Sequence, residues 1–313
     1  MSSSPSTRTD EWLTRHDLPV LLGLMLLGFA LLAPSLFSAS PGVVGHPYSD
    51  VAREFFGGRA FGFGSLARGV FPFWNPYLFG GTPYFANPQS ALLYPLNFLF
   101  LALPVWAAIN VTVALHLGLA ASGTYLFGRS VGMGRLPAAL AGVVFGWSAH
   151  LVLAVYAGHL SNVCTIPWIP LSLAALERTL TGGRRGLAAV ALAWAVALMV
   201  LAGHLQYVAF AMVGMAVYGG VRLAQTAESK EAALRAAGRL AAAGALGAAL
   251  VAVQVVPTFE FFTHSVRQAV EAREWVRWFH LPPENLATLV VPDLFGNHLG
   301  STYWGRFFWR LYT

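Results

Sequence analysis

The chain has 313 residues, of which 57% are hydrophobic and only 10% are charged, with a formal net charge of +6 and a mean hydropathy of +0.61. Soluble domains usually carry about 25% charged residues, so this composition excludes a protein whose whole surface faces water. The basic residues form no stripe interleaved with aromatic residues, which argues against nucleic acid as a partner. Membrane lipids are therefore the first expected partner.

The first predicted element is a membrane span at residues 18–36, which follows a polar N-terminal arm, residues 1–17. Residues 38–40 are small and resemble a signal-peptide cleavage site, so a cleaved signal peptide is the alternative. The apolar run is longer than the about 7–15 residues of a signal h-region, which favours an uncleaved anchor. In both cases the segment that follows lies outside.

Residues 38–104 are predicted as one long extracytoplasmic loop, rich in Gly, Pro and aromatic residues. Within it, residues 90–103 are apolar but short and are interrupted by Pro95, so this stretch is expected to be re-entrant or interfacial. Further apolar runs have about the 20 residues that cross a hydrocarbon core of about 30 Å. These predicted spans are residues 105–128, 137–156, 160–177, 186–203, 205–223 and 240–258.

Basic residues occur in alternate connections between these spans, whereas the connections near His159 and His204 contain no Lys or Arg. The positive-inside rule then places the N-terminus in the cytoplasm and both the first loop and residues 259–313 outside. The predicted fold class is an all-α polytopic membrane protein with about seven transmembrane helices. Residues 18–258 form its transmembrane domain.

A short sequence pattern is repeated at two predicted outer turns. Residues 158–163 read Gly-His-Leu-Ser-Asn-Val and residues 203–208 read Gly-His-Leu-Gln-Tyr-Val, 45 residues further on. The repeat fits either a duplicated hairpin or two similar tight turns. His159 and His204 are candidates to bind a metal or to donate to a phosphate, and the alternative role for each is helix capping or packing.

Two carboxylates follow the first span closely. If the segment around Asp50 and Glu54 is helical, their i,i+4 spacing puts both on one face. Such a pair could hold a divalent cation or take a proton from a hydroxyl group. The alternative is an amphipathic helix lying on the membrane surface.

An aromatic run with amides occupies the rest of the predicted loop, residues 71–97, where Pro and Gly exclude a regular helix between residues 72 and 88. Aromatic rings of this kind settle at the lipid headgroups, so an interfacial belt is one interpretation. A belt needs no amides, however, and Asn75, Asn87 and Gln89 could orient a sugar.

Glu260 follows the last predicted span and is flanked by aromatic residues at membrane depth. An ionisable residue there is costly, so we expect it to have a partner or a function. Arg267 is the expected partner.

The order of several short motifs resembles the YfhO-type bacterial membrane proteins, which belong to the multi-span glycosyltransferases with the GT-C fold. The motifs are Asp50, Pro72-x-Trp74-Asn75-Pro76, Gly80-Gly81-x-Pro83, Gln89, Tyr94-Pro95, Gly203-His204-x-Gln206, Gln254-x-x-Pro257-x-x-Glu260, Arg267 and Pro292-x-x-Phe295-Gly296-Asn297. This resemblance covers about residues 18–300.

The resemblance implies sugar transfer on the outer face of a bacterial inner membrane, from a polyprenyl-phosphate-linked sugar to a cell-envelope glycan or lipid acceptor. Asp50 matches the acidic residue of the first outer loop, which acts as catalytic base or as ligand of a divalent cation, Mg²⁺ or Mn²⁺. Arg53, Arg59 or Arg68 could bind the lipid phosphate, because guanidinium groups bind phosphate bidentately. Snorkelling toward headgroups is the alternative for each.

The chain also departs from that family, whose members are longer. We expect residues 259–313 to be an incomplete outer segment, and catalysis then depends on groups that the sequence lacks. Two other functions stay open: a transporter or flippase of a lipid-linked intermediate, and a non-catalytic membrane scaffold. Transporters usually place ionisable residues at mid-membrane on broken helices, whereas the polar groups here concentrate at one face.

Overall fold

The computed structural model describes residues 12–38, 42–265, 282–296 and 302–305. Most of this part of the chain is helical. The α-helices are α1 (Asp17–Leu31), α2 (Ala33–Leu36), α3 (Phe56–Ala67), α4 (Leu99–Ala102), α5 (Val105–Ser130), α6 (Arg135–Gly146), α7 (Ala149–Ala157), α8 (Leu160–Thr165), α9 (Trp168–Thr181), α10 (Arg185–Leu201), α11 (Leu205–Thr226) and α12 (Lys230–Thr263). A π-helical turn spans Val51–Phe55, 3-10 turns span Pro88–Ser90, Pro95–Phe98 and Pro283–Leu289, and β1 (Trp74–Asn75) pairs antiparallel with β2 (Thr82–Pro83).

Four helical segments of the described chain are long and apolar enough to cross a membrane: Val105–Ser130, Arg135–Ala157, Leu205–Thr226 and Lys230–Thr263. The second of them combines α6 and α7. Two shorter helices, α1 and α10, are also apolar. The structure thus agrees with the predicted polytopic all-α class, and the number of seven spans stays a prediction.

Two predicted spans are interrupted by proline. The segment 18–36 divides into α1 and α2, because the ring of Pro34 clashes with the carbonyl four residues earlier and supplies no N–H. The segment 160–177 likewise divides into α8 and α9 at Pro167. Pro257, in contrast, lies inside α12 without ending it.

Helix α5 lies at the centre of the bundle. In its most apolar window 67% of the residues are buried, against 17–28% in the other three candidate spans. It packs against α1, α6 and α9, and α9 also packs against α10 and α11. The outer helices expose large apolar side chains of the kind that soluble proteins rarely leave in continuous patches, among them Leu22, Leu26, Val144, Phe210, Val217 and Val256.

Small residues allow the central helices to approach closely. A Cβ atom on Gly118 of α5 would lie 2.9 Å from the Met25 Cα of α1. A Cβ atom on Gly142 of α6 would lie 2.6 Å from the Ala121 carbonyl oxygen of α5. Close backbone approach at small residues is how helices pack in a membrane, where burial of apolar surface does not drive association.

Buried polar side chains fasten the predicted outer loop to the bundle. Asn110 on α5 accepts from the Val44 N–H at 2.8 Å and donates to the carbonyls of Ser35 and Gly42 at 3.1 and 2.9 Å. Gln254 on α12 donates to the Phe85 carbonyl at 3.0 Å. The loop is therefore held at its start and near its middle.

A third attachment is a chain of hydrogen bonds with a defined direction. The His116 Nδ1 lies 2.6 Å from the Thr112 carbonyl, which only accepts, so Nδ1 carries the proton and Nε2 is an acceptor. The Tyr94 hydroxyl therefore donates to Nε2 at 2.7 Å, and the Trp168 indole donates to the Tyr94 oxygen at 2.8 Å. This chain joins the loop to α5 and α9.

Two ion clusters lie at the opposite end of the helices. Asp17 of α1 accepts from the Tyr125 hydroxyl and from the Arg129 Nε, the latter at 2.8 Å. Glu177 of α9 accepts from the Tyr218 hydroxyl at 2.7 Å and from the Arg222 Nε at 2.8 Å. Each cluster joins a carboxylate on one helix to a Tyr-x-x-x-Arg pair on another.

Residues from Phe259 to Thr313 form a separate compact unit. In its described part, the Trp304 N–H donates to the Phe295 carbonyl at 2.9 Å, and the two rings lie 5.0 Å apart between centroids.

Candidate functional site

The candidate site begins with a close contact between two parts of the chain that are far apart in sequence. Helix α7 ends at Ala157 and is followed by its C-cap residue Gly158, whose φ of +79° is the left-handed conformation that favours glycine. A Cβ atom there would lie 2.5 Å from the Val51 N and 2.7 Å from the Ser49 Cβ. The His46 N–H donates to the Tyr156 carbonyl at 2.9 Å beside it. The turn after α7 therefore fixes the segment that carries Asp50.

This contact brings together two residues that the sequence proposed separately. The His159 Nε2 lies 3.4 Å from an Asp50 carboxylate oxygen. The two side chains are 46% and 51% exposed, so a ligand in solvent can reach both. A carboxylate beside an imidazole is a common arrangement for moving a proton.

Glu54 lies one turn further on, in the π-helical turn Val51–Phe55 rather than in a regular α-helix. Its side chain reaches solvent, yet partial burial raises the pKa of its carboxyl, and the nearby Asp50 carboxylate raises it further. The Glu54 carboxyl therefore holds its proton to a higher pH than a free glutamate side chain does.

The second Gly-His turn is built in the same way but holds a different part of the loop. Gly203, with φ of +101°, approaches the Pro88 carbonyl, and a Cβ atom there would lie 3.1 Å from the Gln89 Cα. The following residue, His204, donates its N–H to the Thr165 hydroxyl at 3.3 Å. Each copy of the repeat is thus a point where a glycine lets the loop backbone approach the bundle.

His204 is half-buried, and this burial lowers the pKa of its imidazole; the nearby His159 lowers it further. The ring is therefore neutral at pH 7. Its Nδ1 accepts from the Tyr207 N–H at 3.4 Å, which favours the tautomer with the proton on Nε2. His204 thereby offers one N–H donor near the Asp50–His159 pair.

The predicted phosphate-binding arginines lie in different environments. Arg53 and Arg68 are exposed, and the Arg53 guanidinium lies 5.7 Å from the centre of the Tyr48 ring. Arg59 is buried, donates to the carbonyls of Gln89 and Ser90, and lies over aromatic rings. Its burial lowers the pKa of the guanidinium. Arg53 and Arg68 are thus open to a ligand, whereas Arg59 holds the loop segment that contains Gln89.

The predicted amides serve mainly as turn residues. The Asn75 side chain is buried and accepts from the Tyr77 N–H at 2.9 Å, and Asn87 accepts from the Gln89 N–H at 3.0 Å. Both are Asx turns of the type that asparagine favours. Gln89 is half-buried, and Gln206 is exposed at the start of α11.

Glu260 is exposed, and its backbone carbonyl accepts from the Thr263 hydroxyl at 2.7 Å. It belongs to the unit Phe259–Thr313. Its expected partner, Arg267, lies outside the described residues, as does Asn297.

A cavity of about 410 Å³ lies beside the Asp50 segment. Its walls include Val43, His46, Ser49, Phe56 and Trp106. The lining is mixed, with an imidazole and a hydroxyl among apolar groups, as in pockets for small organic ligands.

The described residues contain no group of three or more His, Cys, Asp or Glu side chains placed to hold a metal ion. Asp50 and Glu54 remain a two-carboxylate arrangement. Mg²⁺ uses such an arrangement together with water and the phosphates of a substrate.

Sequence reasoning named Gly158, Gly203 and Arg59 but did not predict that they position this site. Gly158 and Ser49 set the distance between Asp50 and His159, and Arg59 with Gly203 fixes the Gln89 segment. The repeated Gly-His pattern was the available signal, because it marked both close contacts. Comparison of the chain with protein-family models, with curated proteins and with solved structures finds no match.

Proposed function

We propose that the chain is a seven-span protein of a bacterial inner membrane, with its N-terminus in the cytoplasm and the segment 38–104 outside. The distribution of charge supports this orientation. The Gly-His turns at one end contain no Lys or Arg, whereas the connections at the other end are basic. The basic residues at that end are Arg129, Arg135, Arg178, Arg184, Arg185, Arg222, Lys230, Arg235 and Arg239.

We further propose that the protein is a membrane glycosyltransferase, similar to the YfhO-type and GT-C enzymes, that acts on a polyprenyl-phosphate-linked sugar. The observation that carries this proposal is the exposed pair of Asp50 and His159, held in register by the Gly158 contact. In the proposed orientation, this site lies at the outer end of the helices, where a lipid-linked donor would present its phosphate and sugar. A cell-envelope glycan or lipid supplies the acceptor hydroxyl.

In the proposed reaction the oxygen of the acceptor hydroxyl attacks the anomeric carbon of the donor sugar. The bond between that carbon and the phosphate oxygen breaks, and the polyprenyl phosphate leaves with the electron pair. Asp50 takes the proton of the attacking hydroxyl, while His159 orients the carboxylate. The Nε2–H of neutral His204 and the exposed Arg53 are the groups that would donate to the leaving phosphate.

A divalent cation, if used, would be held by Asp50 and Glu54 together with the donor phosphate, and it would neutralise charge on that phosphate. The test therefore includes chelation. Loss of transfer after treatment with a chelator, restored by Mg²⁺ or Mn²⁺, would assign the two carboxylates to metal binding. Transfer that is insensitive to chelation would leave Asp50 as the base.

The experiment is sugar transfer from a labelled polyprenyl-phosphate donor in membranes. It compares wild type, Asp50→Asn, His159→Gln and the control Glu228→Gln, an exposed carboxylate at the opposite end of the helices. A general base contributes about 10²–10⁴-fold, so Asp50→Asn should lose activity by that factor while Glu228→Gln keeps it.

Wild-type activity of Asp50→Asn at normal protein level would refute the role given to Asp50. Movement of the labelled lipid across reconstituted vesicles without any transfer product would favour the transporter function instead.

A further inference from the structure

The cavity of about 410 Å³ lies directly beside the proposed base. Ser49 and Val51, the two neighbours of Asp50 in the chain, both line it. Phe56 and Trp106 add aromatic side chains, the latter from the first turn of α5. A ligand in this cavity would therefore have part of its surface close to the Asp50 carboxylate.

The lining of the cavity is uncharged and mixed in polarity. Among the described residues that form it, none is Asp, Glu, Lys or Arg. A phosphate group would therefore find no guanidinium or ammonium there to replace its hydration. A polyprenyl chain would place hydrocarbon against the Ser49 hydroxyl and the His46 imidazole, with which it can exchange no hydrogen bond. The lining thus favours a neutral ligand that has both hydroxyl groups and apolar faces.

The His46 ring offers a hydrogen-bond donor to such a ligand. Its Nδ1 accepts from the Tyr48 N–H at 3.2 Å, so in the neutral ring the proton lies on Nε2. The ring centroid lies 5.3 Å from that of Tyr156 and 5.7 Å from that of Tyr48. Tyr48 is 71% exposed and Tyr156 is 46% exposed. A row of three rings therefore leads from the cavity to the surface beside the Asp50 segment.

A pyranose ring combines the two properties that this lining favours. Its C–H groups form an apolar face that packs on the negatively polarised face of an aromatic ring such as Trp106. Its hydroxyl groups can exchange hydrogen bonds with the Ser49 hydroxyl and with the His46 Nε2–H. The cavity volume lies near the lower limit of the about 300–1,000 Å³ of small-ligand pockets, which suits a single sugar unit.

We propose that this cavity binds one neutral sugar unit of the acceptor, so that the acceptor is a glycan and a hydroxyl group of that sugar faces Asp50. The sugar packs on Trp106, and the exposed rings of Tyr48 and Tyr156 contact the next unit of the glycan. The assignment of this sugar as the acceptor rests on the proposed sugar transfer. Binding of a neutral sugar in the cavity does not depend on it.

The test measures sugar binding directly, by saturation-transfer NMR on the full chain in phosphatidylcholine nanodiscs, where no sugar detergent competes. The probes are the methyl glycosides of glucose, galactose, mannose and N-acetylglucosamine, with glycerol 3-phosphate as the anionic probe. Ala52→Trp fills the cavity, and its matched control is Ala60→Trp, at an exposed alanine of α3 that does not line the cavity. Trp106→Leu removes an aromatic wall, and its control is Trp194→Leu, at an exposed tryptophan of α10.

Wild type should bind at least one of the four methyl glycosides, and more tightly than it binds glycerol 3-phosphate. Loss of one aromatic packing partner should weaken this binding about three- to tenfold in Trp106→Leu. Ala52→Trp should abolish the binding, because its indole occupies the space of the sugar. The controls Ala60→Trp and Trp194→Leu should bind as wild type does.

Four outcomes would overturn the proposal. They are no binding of any of the four glycosides, tighter binding of glycerol 3-phosphate, equal binding by Ala52→Trp and Ala60→Trp, and equal binding by Trp106→Leu and Trp194→Leu.

The transfer assay separates this proposal from the proposed function. Glycoside binding that Ala52→Trp abolishes, without transfer to that glycoside by wild type, would support the sugar site and count against sugar transfer. Transfer that proceeds equally in Ala52→Trp and Ala60→Trp would overturn the sugar site and leave the proposed function standing.

Discussion

Replacement of Gly158 by alanine tests whether the turn after α7 sets the position of Asp50. Gly158 and Gly132 both adopt left-handed φ values, +79° and +94°, so alanine is strained at either position by about 1–2 kcal/mol. A Cβ atom at Gly158 would also lie 2.5 Å from the Val51 N, whereas one at Gly132 would meet nothing within 4 Å. Overpacking of this kind costs about 1–3 kcal/mol more. Gly158→Ala should therefore be the less stable variant by that amount.

The thermal unfolding midpoint of each variant can be measured with a cysteine that the chain already contains. Cys164 is its single cysteine, and the thiol is free and buried, so a fluorogenic maleimide reacts with it only when the fold opens. An added loss of about 1–3 kcal/mol corresponds to a midpoint about 2–12 °C below that of Gly132→Ala. Equal midpoints for the two variants would refute the close-contact argument, because the left-handed φ alone would then explain both glycines.

Three further predictions use the same thermal measurement. Glu177→Ala leaves Arg222 without its carboxylate and should lower the free energy of unfolding by about 3–5 kcal/mol. A midpoint equal to that of the control Glu228→Ala would contradict this prediction. Tyr94→Phe removes the hydrogen-bond partner of both the Trp168 indole and the His116 ring, and each loss should lower the free energy of unfolding by about 1–3 kcal/mol. The control Tyr77→Phe, at an exposed ring, should have no effect on the midpoint. Because burial holds the pKa of His204 below its ordinary value of 6.5, the unfolded chain binds the extra proton more readily. Stability should therefore fall as the pH drops through 6.5, and the difference between midpoints at about pH 8 and about pH 5 should shrink in His204→Gln; an unchanged difference would argue against this role.

The sequence predicted the long helices well, because their apolar runs are continuous. The span predicted at residues 105–128 is α5, Val105–Ser130, and the span at 205–223 is α11, Leu205–Thr226. The prediction failed where proline interrupts an apolar run: residues 160–177 were predicted as one span, but Pro167 divides them into α8 and α9. Helix α3 was not predicted either, since its four glycines lower helix propensity and only packing of the loop against the helix stabilises it.

For the candidate site, residue types were visible in the sequence but contacts were not. Asp50 and His159 were proposed separately, and no spacing rule links residues so far apart in the chain. Arg59 illustrates the reverse case: its charge indicated a phosphate ligand, whereas its burial depends on how the Gln89 segment folds over it. Local patterns name candidate groups, and only tertiary packing decides which of them a ligand can reach.

The two Tyr-x-x-x-Arg clusters also differ in a way that concerns the order of synthesis. Asp17 lies 112 residues before Arg129, whereas Glu177 lies 45 residues before Arg222. At a synthesis rate of about 5–20 residues per second, Arg129 is made about 6–22 s after Asp17, and Arg222 is made about 2–9 s after Glu177. The Asp17 carboxylate therefore has no arginine partner until α5 has been made, whereas Glu177 and Arg222 can pair much sooner. The central helix α5 thus completes the ion cluster of α1 only after 112 further residues have been made.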